Sequence, residues 1–179
     1  MIIPKFKYTQ RETTVCDILK KIEFKTFLNI GFHDWQDIRK HWWIEICKTN
    51  NIDWKIVEVF KSNVDDTISK GCPEDRIIHG NIKDVEELPE SDCIMFWHGP
   101  EHLYKQEFLD ILPKLEKKYK ILIFGMPWGE EPQGEAYGNP HEKHISAWDI
   151  LEWKELGYEV TTVKDNKKYP HITCYKIQE

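Results

Sequence analysis

Five short apolar segments alternate with helix-like segments along this chain, and this alternation constrains the fold more than any other feature. The segments predicted as strands are 24–30, 54–60, 76–79, 92–98 and 120–126. Strands separated by helices need right-handed crossover connections, which build a parallel sheet. Two further strand-like segments, 158–164 and 171–177, are too close together in sequence for a crossover helix. We therefore predict an α/β fold with a mostly parallel, seven-stranded sheet that ends in an antiparallel hairpin.

The segments between these strands have helical apolar spacing. The predicted helices are 13–22, one that begins at Asp34, a short one capped by Ser62, one around 108–115 and one from Ser146 to Gly157. Asp34 and Ser62 are suitable N-caps because their side chains accept hydrogen bonds from free amides of the first turn. Pro113 is expected to kink or split its helix. Gly157 is expected to end the last one, since it tolerates the left-handed backbone of a C′ residue.

Length and composition bound the class of protein. With 179 residues, the chain has room for one full-sized core, so we expect a single domain over 1–179, with an N-terminal helix region at 1–22 and a sheet core at 24–177. An apolar fraction of 40% predicts a globular fold. A net charge of −6 argues against general binding to nucleic-acid backbones, so we expect no nucleic-acid partner.

Cysteine usage and the terminal sequence indicate the compartment. The five cysteines are widely spaced, with no C-x-x-C pair. The N-terminus has no signal-peptide core, and no apolar run is long enough to span a bilayer. We therefore expect a cytoplasmic protein with no membrane association. The eight tryptophans fit a core or a dimer interface equally well, so a homodimer stays open.

The segment F-L-N-I-G-F-H-D-W at 27–35 is the first candidate site. A strand ends there on Gly31, and a helix opens a few residues later. In open α/β sheets this junction lets the backbone approach a nucleotide and presents the free N–H groups of a helix. Phe32 and His33 occupy positions where a G-x-G pattern would place another glycine. The alternative is that Gly31 only makes a tight turn.

Three further segments resemble the class I S-adenosylmethionine-dependent methyltransferases, and the resemblance covers about 24–177. I-V-E-V-F-K-S-N-V at 56–64 resembles the family's second strand, and I-H-G-N-I at 78–82 resembles the segment that contacts adenine. S-D-C-I-M-F-W-H-G-P-E-H-L at 91–103 resembles the fourth strand and the Glu-His-Leu turn after it. The chain departs from the family in its incomplete glycine-rich first motif, and in having Asn81 where the family usually has an acid.

The resemblance implies a Rossmann-like three-layer sandwich with S-adenosylmethionine as the cofactor. The implied cofactor-binding residues are Gly31, Phe32, Glu58, Val59, Asn81, Ile82 and His98. Glu58 would bind the ribose, because a carboxylate can accept hydrogen bonds from both hydroxyls of a diol. A structural salt bridge is the alternative role for Glu58. Whether Phe32, His33 or Trp35 closes the pocket is left open.

Histidines form a second candidate site. His98 and His102 flank the end of the fourth strand, and His141 and His144 lie in the long loop 127–145 after the fifth. The predicted topology makes these places adjacent. A neutral histidine can act as a general base for an acceptor. We predict His98 or His144 in this role, oriented by Glu101 or Glu142. Alternatively, these histidines only pin the loop.

A metal site is a competing interpretation of the same residues. The histidines with Glu101 and Glu142 provide enough nitrogen and oxygen ligands for zinc. Their spacing matches no H-E-x-x-H signature, and Pro100 disfavours a helix with His98 and His102 on one face. We therefore assign no metal ligand from the sequence.

The leading functional hypothesis is a methyltransferase that acts on a small-molecule acceptor. The long loop 127–145 would be a lid or specificity element, although a variable insertion without a role is the alternative. Two other functions stay open. One is an accessory or binding protein on the same fold without catalysis, and the other is metal-dependent hydrolysis.

Overall fold

The computed structural model describes residues 1–32, 38, 41–164 and 169–178. The strands are β1 (Thr26–Ile30), β2 (Asp53–Glu58), β3 (Ile77–His79), β4 (Cys93–Trp97), β5 (Ile121–Pro127), β6 (Glu159–Val163) and β7 (His171–Ile177). They form one seven-stranded sheet in the order β3-β2-β1-β4-β5-β7-β6. The pairs from β3 through β5 are parallel, whereas β7 is antiparallel to both β5 and β6. The predicted fold class is confirmed.

The helices are α1 (Gln10–Leu19), α2 (Trp42–Thr49), α3 (Lys61–Ser69), α4 (Lys105–Lys118) and α5 (Ile150–Glu155). α1 begins three residues before its predicted start, because Thr9 and Glu12 form a reciprocal capping box. Pro113 lies inside α4 without splitting it, so the alternative of two helices there is wrong. Gly157 follows the end of α5 with a φ of 82°, as expected for a C′ glycine.

Two predicted helix starts are wrong, and one falls outside the described residues. The N-cap of α3 is Phe60, so Ser62 lies in the first turn instead of capping it. The N-cap of α5 is Asp149, which forms a capping box with Glu152. Ser146 instead donates its hydroxyl to the Pro100 carbonyl oxygen at 3.0 Å. The predicted cap Asp34 is outside the described residues, and the helix that contains Trp42 and Ile46 has His41 as its N-cap.

The sheet has an apolar core on each face, which gives the predicted three layers. Helices α1, α2 and α3 cover one face, and α4 and α5 cover the other. Adjacent residues of β1 contribute to different cores: Phe27 belongs to the first core, under α1, α2 and α3, and Leu28 belongs to the second core, under α4 and α5. This is the side-chain alternation expected of a strand buried on both faces. No helix within the described ranges is long and apolar enough to cross a membrane.

Candidate functional site at the carboxyl edge of the sheet

A cleft of about 650 Å³ opens where β1 through β4 end. This volume falls within the range of about 300–1,000 Å³ that is typical of small-molecule sites. The predicted site residues that line it are Gly31, Phe32, Glu58, Val59, Asn81, Ile82 and His98. The two other predicted site residues, Glu101 and His144, belong to the turn and loop beside it. The edge is where open α/β sheets bind ligands.

The β1 turn keeps the cleft clear of the Phe32 ring. Gly31 has a φ of 72°, and its N–H donates to the Val57 carbonyl oxygen at 2.8 Å. A Cβ added at Gly31 would lie 3.9 Å from Phe96, so glycine is needed for the backbone conformation more than for space. Phe32 is 7% exposed, and its ring lies edge-on to Trp43 in the first core. Of the other two suspected blockers, neither His33 nor Trp35 is among the described residues.

Glu58 links the ends of β1 and β2 through its carboxylate. Oε2 accepts the Phe32 N–H at 2.7 Å, and Oε1 accepts the Phe60 N–H at 2.8 Å. The side chain is 4% exposed. Burial raises the pKa of Glu58 above its usual value, and the two backbone N–H bonds oppose this shift. The Asn63 side chain also bonds to this carboxylate, so a ligand in the cleft would share the acceptor sites of the two oxygens with Asn63.

Asn29 is a site residue that the sequence interpretation missed. It lies in β1, lines the cleft and is only 2% exposed. Its Nδ2 donates to the Gly31 carbonyl oxygen at 2.8 Å, whereas its buried Oδ1 has no hydrogen-bond partner among the described residues. The sequence carried a signal for it, because an amide in the apolar run F-L-N-I must be buried in a parallel strand. Such a group needs a partner.

The turn after β4 is sharply constrained. His98 has a φ of 50°, and a Cβ added at Gly99 would lie 2.1 Å from the Phe96 ring. A short 3₁₀ turn, Pro100–His102, follows. The turn therefore fixes the positions of His98, Glu101 and His102 at the edge of the cleft.

His98 lies between a cation and a carboxylate. Its Nδ1 is 3.3 Å from Glu101 Oε1, and its Nε2 is 3.4 Å from Arg11 Nη1. A guanidinium can only donate, so Nε2 accepts from Arg11 and Nδ1 carries the proton towards Glu101. Arg11 is 8% exposed and comes from α1. Sequence reasoning missed it, because nothing local links two residues so far apart in the chain.

The long loop is attached to the β4 turn. The carbonyl oxygen of Glu101 accepts the N–H groups of Ile145 and Ser146 at 2.9 and 3.1 Å. The His102 and His144 rings lie 4.9 Å apart. The structure thus brings together His98, Glu101, His102 and His144. His141 and Glu142 also line the cleft. The His141 ring lies 6.5 Å from that of Phe60 and is not part of this group.

Comparison with known proteins supports the fold. No family model matches the chain, and no curated protein matches its sequence. Among solved structures, the methyltransferase domain of a bacterial CtHen1 is 18% identical, with a TM-score of 0.62, covering 94% of this chain and 97% of that one. The N-terminal domain of EvdMO1, solved with SAH and D-fucose, is 8% identical, with a TM-score of 0.65 and coverage of 97% and 85%. A DhpI-SAM-HEP complex is 10% identical, with a TM-score of 0.54 and coverage of 92% and 86%.

At these identities the similarity establishes the fold. The chain has the class I S-adenosylmethionine-dependent methyltransferase fold, and the predicted resemblance is confirmed at that level.

Proposed function

We propose that this protein is an S-adenosylmethionine-dependent methyltransferase that acts on a small-molecule acceptor. The observation that carries the proposal is the buried Glu58 carboxylate at the end of β2, beside an open cleft at the carboxyl edge of the sheet. Further support comes from the methyltransferase fold and from neighbours solved with SAH or SAM. The alternative of a closed, non-catalytic pocket loses one of its suspected blockers, since the Phe32 ring packs into the core.

We place the cofactor along the length of the cleft. In this proposal, Glu58 accepts bonds from the ribose hydroxyls, and Asn81 and Ile82 contact the adenine. The backbone at Gly31 and Phe32 passes the methionine portion. The buried Oδ1 of Asn29 would accept a bond from the methionine ammonium, which satisfies an acceptor that otherwise has no partner within the described part of the chain. Val59 lines the cleft next to Glu58.

The acceptor would enter beside the β4 turn. S-adenosylmethionine, when bound, supplies an electrophilic methyl group for in-line displacement. Most of the rate enhancement would come from holding the acceptor atom in line with that group. We assign the acceptor proton to His98 Nε2, which requires that the acceptor displace Arg11 from its 3.4 Å contact with this atom. Glu101 would orient the His98 ring through the Nδ1 contact. His144 holds the loop that borders the acceptor, through its Nδ1 contact with the Glu131 carbonyl oxygen.

Isothermal titration calorimetry of the purified protein tests the cofactor assignment. S-adenosylmethionine and S-adenosylhomocysteine should each bind with one-to-one stoichiometry and raise the melting temperature by mass action. ATP is the matched control, because it shares the adenosine moiety and replaces the methionine portion with phosphates. An absence of heat and of any melting shift at millimolar S-adenosylmethionine would overturn the proposal and favour the accessory function.

A further inference from the structure

We propose that Glu101, His102 and His144 form a binding site for a divalent transition-metal cation beside the acceptor end of the cleft. One ligand atom from each of the three residues lies within 4.8 Å of the other two. His102 lines the cleft, whereas Glu101 is buried behind it. Such a site was not assigned from the sequence, because the ligands do not share a helix. The structure brings them together through a turn and a loop.

Both histidines are oriented as metal ligands usually are. His102 Nδ1 is 3.2 Å from the Lys143 carbonyl oxygen, and His144 Nδ1 is 2.6 Å from the Glu131 carbonyl oxygen. A carbonyl oxygen can only accept, so each Nδ1 carries a proton, and Nε2 is the nitrogen that holds the lone pair in the neutral form of each ring. A backbone carbonyl on the second ring nitrogen fixes the tautomer and raises the basicity of the ligating nitrogen. Nε2 is therefore the atom of each ring that would bind the proposed cation.

The buried carboxylate gives an independent reason to expect a cation. Glu101 is 2% exposed, and its Oε2 has no hydrogen-bond partner among the described residues. The contact to His98 engages only Oε1. A buried carboxylate oxygen without a partner is costly, and it is stabilised when it is paired or coordinates a metal. Hydrogen bonds that only hold the loop in place would leave Oε2 without a partner, whereas coordination by the proposed cation would satisfy it.

The donor set defines the class of cation and what the cation could do. Two imidazole nitrogens and one carboxylate oxygen suit zinc, manganese, iron or cobalt, and three protein ligands leave positions open. If the proposed methyltransferase function holds, the open positions favour an acceptor with a hydroxyl group. A cation that binds this oxygen would fix its position and lower its pKa. The cation site itself does not depend on that function.

The test is calorimetric titration of the chelator-treated protein with Co²⁺ and with Zn²⁺, in the absence of any cofactor. We expect one equivalent of metal per chain and a rise in melting temperature with metal concentration. His102→Gln and His144→Gln should each weaken metal binding by at least about 100-fold. Removing a residue that only supports a ligand already costs about 10- to 100-fold in metal affinity, and these variants remove the ligand itself. His141→Gln is the matched control, because His141 belongs to the same loop but its ring lies near Phe60 and not in the proposed ligand set. This variant should bind metal like the wild type.

Glu101→Gln provides a second readout, because it keeps the shape of the side chain and removes its charge. We expect it to lose metal binding while its circular dichroism spectrum matches that of the metal-free wild type. Sub-stoichiometric metal in the wild type, or unchanged affinity in both histidine variants, would overturn the cation site. Because these titrations contain no S-adenosylmethionine, that result leaves the cofactor assignment untouched. Failure of the cofactor titration would likewise leave the cation site standing.

Discussion

Replacing Glu58 with alanine should separate the observed role of this carboxylate, which is to hold the β1 and β2 ends together, from its proposed role in binding the ribose. The matched control is Asp92→Ala. Asp92 Oδ2 accepts the Lys25 and Thr26 N–H groups at 2.8 and 3.1 Å. Asp92 lies at the start of β4, so this contact is at the opposite edge of the sheet from the cleft. Both variants remove a carboxylate that accepts two backbone amides, but only one removes a cleft residue.

The size of each effect follows from the bonds that are lost. A hydrogen bond to a charged group contributes about 1.5–3 kcal/mol, so losing two ribose bonds, partly compensated by water, should cost about 2–4 kcal/mol of binding. At about 1.4 kcal/mol per tenfold, the dissociation constant for S-adenosylhomocysteine should rise about 30- to 700-fold in Glu58→Ala. Unfolding should cost about 2–3 kcal/mol less in this variant, which lowers the melting temperature by about 4–12 °C.

The assay is calorimetry at a temperature well below the melting transition of each variant, paired with thermal melts. Asp92→Ala should lose about 1–2 kcal/mol of stability, because its amides are more exposed, and should bind the ligand like the wild type. If Glu58→Ala binds S-adenosylhomocysteine within about threefold of Asp92→Ala, the ribose assignment is refuted, since about 0.7 kcal/mol is too little for two such bonds.

Three further predictions follow from the constrained turn, the Asp92 contact and the buried thiols. Gly99→Ala should give little folded protein, because its Cβ would lie 2.1 Å from the Phe96 ring, whereas Gly134→Ala, with no atom within 4 Å of the added Cβ, should melt like the wild type. Backbone N–H bonds lower the pKa of Asp92 below its usual 3.8, so its stabilisation is complete above that value and is lost as pH falls through the lower folded pKa. Urea titrations between pH 6 and pH 2, set against Asp92→Asn, measure this contribution as a difference that vanishes at the acid end. All five cysteines are buried, and burial raises the pKa of Cys47 to about 12. A thiol reagent at pH 8 should therefore label the native protein only at the rate at which the protein unfolds. Rapid labelling without denaturant would contradict this prediction.

The strands and the direction of their pairing were predictable from sequence, because both follow from the spacing of the apolar segments along the chain. Apolar runs buried on both faces mark parallel strands, and the short distance between the last two segments forces an antiparallel pair. The helix caps were less predictable. Ser62 and Ser146 have the side chain of a cap, but capping also needs an extended backbone at that position, which Phe60 and Asp149 have instead.

Some candidate site residues were predictable from sequence, and others were not. Gly31 and Glu58 stand at strand ends, so sequence alone brings them to one edge. Asn29 was visible as an amide in an apolar strand, but its unpartnered oxygen was not. The contact between Arg11 and His98 joins α1 to the β4 turn across the chain. It depends on how α1 packs against the sheet, and no local pattern encodes that packing.

Glu101 couples the parts of the acceptor end that come from different segments. Its carboxylate contacts His98, and its carbonyl oxygen holds Ile145 and the start of the segment that leads to α5. A substitution that changes the shape of this buried side chain, unlike Glu101→Gln, would therefore disturb the β4 turn and the long loop together. Tyr104 and Tyr137, which also line the cleft, are 63% and 72% exposed. Such exposed rim residues can change without disturbing the buried contacts. If the proposed methyltransferase function holds, substitutions at Tyr104 and Tyr137 should therefore change the acceptor preference, whereas a substitution at Glu101 should lower activity towards every acceptor.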